Sequence, residues 1–104
     1  MSGQPMDFVF SGEAGHFRLG GTAGYGNARR LLQAGRRRLA TEHRAEVDLS
    51  TLTALDSAGL AVMITWLAEA QSAGRELSYR DLPAALVATA RVAGVESLLV
   101  GNAG

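Results

Sequence analysis

The chain has no cysteine and no lysine, and only two prolines among its 104 residues. Without cysteine there can be no disulfide framework, no thiol nucleophile and no thiolate metal centre. Without lysine there can be no Schiff-base mechanism and no P-loop lysine on a phosphate. Histidine is scarce: His16 and His43 are the only two, too few for a zinc site. His43 lies among Thr41, Glu42 and Arg44 and reads as an exposed connection, while His16 opens a strand. The spacing reveals no Ser-His-Asp set. The weakly polar stretch 58–68 is well short of the roughly 20 residues that cross a bilayer. Residues 1–6 carry neither a charged leader nor an apolar run, so no targeting peptide is read there. The expectation is a soluble, intracellular protein with no cofactor, no metal and no direct membrane insertion.

What is present is ordinary globular material. Hydrophobic residues make up 47% and charged residues 19%, which excludes disordered and collagen-like chains. The length suits one domain with one core, so a single domain is expected over residues 1–104, with 1–6 flexible. Ten acidic residues balance ten arginines, and zero net charge argues against a nucleic-acid partner. The balance is uneven along the chain. Residues 25–44 hold six arginines (Arg29, Arg30, Arg36, Arg37, Arg38 and Arg44) against one acid, Glu42, whereas residues 45–104 hold seven acids and three arginines. The basic segment is either a surface facing an acidic partner or anionic lipid, or the solvated face of an amphipathic helix.

Periodicity gives the elements. Residues 8–10 and 16–19 read as two strands around a turn in 11–15, an antiparallel hairpin. Four glycines within residues 20–26 read as a flexible loop; it fits neither G-x-G-x-x-G nor the P-loop pattern, so a phosphate cradle is disfavoured. Asn27 can cap a helix that runs to about residue 40, with Ala28, Leu31, Leu32, Gly35 and Leu39 on one side. Residues 45–49 form a strand, 50–57 a polar break, and 57–73 a second helix closed by Gly74. Leu60, Met63, Ile64, Leu67 and Gln71 share a face of that helix. Residues 76–80 are a strand; Pro83 sits in the first turn of a third helix carrying Leu86, Val87 and Ala90; residues 95–100 are a last short strand or turn. The order β-β-α-β-α-β-α predicts an α/β domain, a mixed sheet packed with helices.

The most informative stretch runs from Val47 to Leu60. A strand ends, a loop follows, and Asp56-Ser57 opens a helix. Ser57 stands where the free N–H groups of the first turn favour an oxygen acceptor or a phosphate. The competing reading is simple capping by Asp56 or Ser57. Gly59 in the first turn permits close approach by a partner or by a neighbouring backbone. Val62 and Trp66, four apart on a shoulder of the helix, are either an exposed interface anchor or packing at the core rim.

Here the chain resembles the STAS domain family, on Asp48-Leu49-Ser50 ending a strand and Asp56-Ser57-Ala58-Gly59-Leu60 opening a helix. In anti-sigma-factor antagonists of that family the residue matching Ser57 is phosphorylated by a partner kinase. The segment from Ile64 to Leu77, then Asp81-Leu82-Pro83-Ala84-Ala85-Leu86 and the run from Val92 to Leu99, resemble the STAS subunit of Mla-type phospholipid-trafficking ABC transporters. That resemblance implies a non-enzymatic cytoplasmic adaptor, peripheral to the inner membrane through its complex, that binds the transporter's ATPase subunit and supports maintenance of envelope lipid asymmetry. The resemblance places Ser57 in that contact, and with the reading of the loop and helix above the expected partner-binding set is Thr53, Asp56, Ser57, Ala58, Gly59, Val62 and Trp66. The alternative it implies is an anti-sigma-factor antagonist whose partner is an anti-sigma factor kinase acting on Ser57. An enzyme pairing Ser57 with a histidine is disfavoured by the element order.

Overall fold

A computed structural model describes residues 7–100, so the expectation about residues 1–6 lies outside the described residues. Strands β1 (Phe8–Glu13) and β2 (His16–Ala23) pair antiparallel, with Glu13 opposite His16. Their connection is Ala14-Gly15, at φ of 56° and 83°. A two-residue hairpin needs such a left-handed pair so that its twist matches that of the strands. The turn is tighter than the 11–15 stretch expected from composition.

The loop expected over residues 20–26 is corrected in its first half, because β2 continues through Gly20, Gly21, Thr22 and Ala23. At Gly21, with φ of +83°, a Cβ would strike the carbonyl of Asp7. Glycine is thus demanded by the strand's crowding and twist, and the pairing register shifts at this point. Residues 24–27 alone form the turn into α1 (Ala28–Leu39).

The remaining elements are β3 (Arg44–Asp48), β4 (Leu52–Leu55), α2 (Ser57–Ser72), β5 (Glu76–Arg80), α3 (Ala84–Val92) and α4 (Glu96–Val100). The sheet runs β1-β2-β3-β5, with β4 also on β2. The first part of β2 lies parallel to β3, with Phe17 beside Val47; its last part lies parallel to β4, with Ala23 beside Leu55. β3 and β5 are parallel from Arg44–Glu76 to Asp48–Arg80. Two expectations change. The polar break at 50–57 contains the strand β4, and residues 95–100 end in the helix α4 rather than a strand or turn. Leu52 and Leu55 stand three apart and give no two-residue period; β4 exists because β2 offers it a partner.

The sheet has a core face and an open face. Phe17, Leu19, Ala45, Val47, Leu77 and Tyr79 are buried. The open face carries His16–Glu46, Arg18–Asp48, Arg44–Glu76 and Arg80–Glu46 pairs at 3.3, 3.4, 3.0 and 2.8 Å. Exposed pairs of this kind contribute little each, but they leave the open face charge-satisfied.

Helix α2 touches α1, α3, β2, β4 and β5, so its buried arc is wider than one stripe. Leu60, Met63 and Leu67 are buried as expected, Ile64 is half-buried, and Gln71 is exposed. Val62 and Trp66 are only 5% and 2% exposed. Of the two readings of Val62 and Trp66, packing in the core is the one realised, which corrects their place in the expected partner-binding set. The indole Nε1–H donates to the Leu32 carbonyl at 3.1 Å, and the ring meets Phe10 edge-on, 5.7 Å between centroids. Gly35 in α1 makes the seat: a Cβ there would fall inside the indole. Among the described residues, no helix is long and apolar enough to cross a membrane.

Candidate functional site

The parallel strands β2 and β4 end side by side, and the turns that follow them share one carboxylate. Asp56, the N-cap of α2, accepts from Ala58 N–H at 2.9 Å and Gly59 N–H at 3.1 Å through Oδ1. Its Oδ2 accepts from Tyr25 N–H, across in the β2–α1 turn, at 3.1 Å. Burial disfavours the ionised carboxyl, but the N–H donors of Tyr25, Gly59 and Ala58 outweigh it and hold the group below its usual range. The backbone N–H of Asp56 donates to the Ala23 carbonyl at 3.2 Å. Asp56 is thus committed to capping α2 and to joining two turns.

Gly59 is buried against the end of β2, where a Cβ would collide with the backbone of Ala23. Of the two readings of Gly59, the neighbouring backbone is the one realised. Thr53 is exposed, and its hydroxyl donates to the Gly21 carbonyl at 3.0 Å. Ala58 is half-buried. Ser57 is exposed, and among the described residues its hydroxyl has no hydrogen-bond partner. The loop therefore presents Thr53, Ser57 and the edge of Ala58 outward; Asp56, also exposed, ties it to the β2–α1 turn, and Gly59 seats it on the end of β2. Val62 and Trp66 lie in the core and take no part in this surface.

The facing turn is equally fixed. Asn27 stands at the N-cap of α1, but its side chain makes no cap hydrogen bond. It instead donates to the Thr22 carbonyl at 2.7 Å and to Asp7 Oδ1 at 2.9 Å, and accepts from Gly24 N–H at 3.0 Å. Arg30 forks onto both Asp7 oxygens at 2.9 and 3.1 Å. The Arg30 hydrogen bonds, then those of Asn27 and the Phe8 N–H, lower the Asp7 pKa to about 2. Tyr25 stands at the apex of this turn, 82% exposed. Sequence reasoning passed over Tyr25 as part of a glycine loop; the signal was a lone aromatic between two glycines, without apolar neighbours to bury it.

The histidines lie elsewhere. His16 begins β2 and Ala23 ends it, which puts His16 roughly 23 Å from the Ser57 end at strand rise. His43 is exposed before β3, at the opposite end of the parallel strands. Neither is brought to Ser57. No group of His, Asp and Glu among the described residues is placed to hold a metal ion.

A family model described as "Mlab, STAS domain" matches residues 6–101. No curated protein matches the chain.

Proposed function

The chain belongs to the STAS domain family, and on that premise we propose that it is a cytoplasmic adaptor for the ATPase subunit of a phospholipid-transport ABC complex. STAS domains act as adaptors or as antagonists of anti-sigma factors and are generally non-catalytic. In this reading Thr53, Ser57 and Ala58 dock on the ATPase, which supplies the nucleotide chemistry, and the complex holds the protein at the inner membrane while it maintains envelope lipid asymmetry. The observation that carries the reading is the unpartnered Ser57 hydroxyl on a loop that Asp56 and Gly59 hold rigid. A preorganised loop with small outward side chains lets a partner's backbone come close without an ordering cost.

The test is calorimetric titration of the chain with the ATPase subunit of such a complex. Glutamate is welcome in the first turn of a helix, so Ser57→Glu should keep its circular dichroism spectrum while affinity falls at least about tenfold, or 1.4 kcal/mol. Equal affinity for both proteins would remove the loop from the interface.

The exposed, unpartnered hydroxyl also favours a second reading, an anti-sigma-factor antagonist switched by phosphorylation of Ser57. A phosphate adds roughly two negative charges beside Asp56 and reshapes the docking loop. Stoichiometric phosphate transfer to Ser57 by a kinase-type anti-sigma factor, absent in Ser57→Ala, would select this reading over the first.

A further inference from the structure

Thr53, Ser57 and Ala58 are small, and three small side chains do not make an interface. A specific protein contact covers about 800 Å² on each partner, and its energy is concentrated in a few anchors, most often tryptophan, tyrosine or arginine. Residues 53–58 contain none of these, so the anchor has to come from the surface beside the loop.

The facing turn supplies one. Tyr25 is 82% exposed, and among the described residues neither its ring nor its hydroxyl has a partner. Its backbone is one carboxylate away from the loop, since the Tyr25 N–H donates to Asp56 Oδ2 at 3.1 Å. The residue before it lies against the same carboxylate: a Cβ on Gly24 would strike the Asp56 side chain. The turn is also closed on its own side. Asn27 N–H donates to the Gly24 carbonyl and Gly24 N–H donates to Asn27 Oδ1, both at 3.0 Å. Tyr25 is thus a free aromatic side chain on a fixed backbone. Of residues 24–26 and 53–58 only Asp56 is charged, and its oxygens are taken by three backbone N–H groups. An aromatic among uncharged residues is the composition of an interface core. The other large apolar residues that stand exposed, Val9, Val92 and Leu98, lie on β1, α3 and α4 and not on either turn.

We infer that Tyr25 is the aromatic anchor of the docking surface and seats on the same ATPase subunit that contacts Ser57, an inference that rests on the adaptor reading above. The occupant is the same because the two turns are one body. With Asp56 bonded to both, a partner lying on Ser57 meets the Tyr25 turn without either turn moving. The loop contributes close backbone approach, and the tyrosine contributes the contact area that small side chains lack. A ring on two rotatable bonds also loses little conformational freedom when it seats.

The test is calorimetric titration of the intact chain with that ATPase subunit. Tyr25→Ala should melt at the parent's temperature, because the side chain is exposed and the N–H to Asp56 remains, yet bind at least about tenfold more weakly. Tyr25→Phe, which keeps the ring, should stay within about threefold of the parent. Val92→Ala, which removes an apolar side chain 90% exposed on α3, should stay within about twofold. Ser57→Glu separates the two claims. If it weakens binding and Tyr25→Ala does not, the adaptor reading stands and the anchor is overturned. If the parent does not bind the subunit, both fall. Equal weakening by Val92→Ala overturns the anchor, and so does sedimentation that finds the chain alone forming a dimer which Tyr25→Ala dissolves.

Discussion

At Asp56 and Ser57 two neighbouring side chains have opposite fates. Ser57 is left free, while the carboxylate beside it is used three times by backbone N–H groups. Sequence reasoning could weigh capping against docking at this dipeptide but could not divide the roles, because Tyr25, the third donor, is 31 residues away in the chain. Asp56→Ala removes both the cap and the tie to the β2–α1 turn. A lost N-cap costs about 1 kcal/mol, which in a domain of this size lowers Tm by roughly 4–8 °C. Asp56→Asn, which keeps an acceptor, should lose less. Scanning calorimetry that finds the alanine variant as stable as the parent would mean the carboxylate is not structural.

At the scale of elements, long periodic segments were legible and those defined by a neighbour were not. α1, β3, α2 and β5 fall within a residue or two of where their patterns put them, because each buries a face that its own sequence spells out. The second half of β2 reads as a loop, since glycine is a poor strand former, and β4 reads as a break; the first is a strand because β1 and β4 flank it, the second because β2 offers it an edge. The buried placing of Trp66 was hidden for the same kind of reason, since its seat is Gly35 on a different helix. That seat gives a prediction. Alanine is favoured over glycine by about 1 kcal/mol in a helix, yet Gly35→Ala must push Cβ into the indole, and overpacking typically costs about 1–3 kcal/mol. Urea unfolding should therefore show a lower midpoint for Gly35→Ala; a higher one would mean that the helices slide apart without strain.

For the whole molecule, zero net charge conceals an ordered division of labour. The open sheet face consumes its own charges, and the Asp7–Arg30 fork pins the start of β1 to α1. The fork also makes stability depend on acid. Asp7 titrates near 3.8 when unfolded and near 2 when folded, so its contribution is complete above 3.8 and is lost as pH falls toward 2. Thermal melts from pH 5 to 2 should show Asp7→Asn less stable than the parent at pH 5, with the gap closing by pH 2; a constant gap would remove Asp7 from the acid response. The position of β2 has a further consequence, during synthesis. Its hairpin with β1 can close as soon as both strands leave the ribosome, but its other edge waits for β3 and β4. Leu55 follows Ala23 by 32 residues, or roughly 2–6 s at synthesis rates of about 5–20 residues per second. For those seconds every nascent copy carries a bare strand edge, and neighbouring chains on one polysome are the nearest thing that could pair with it.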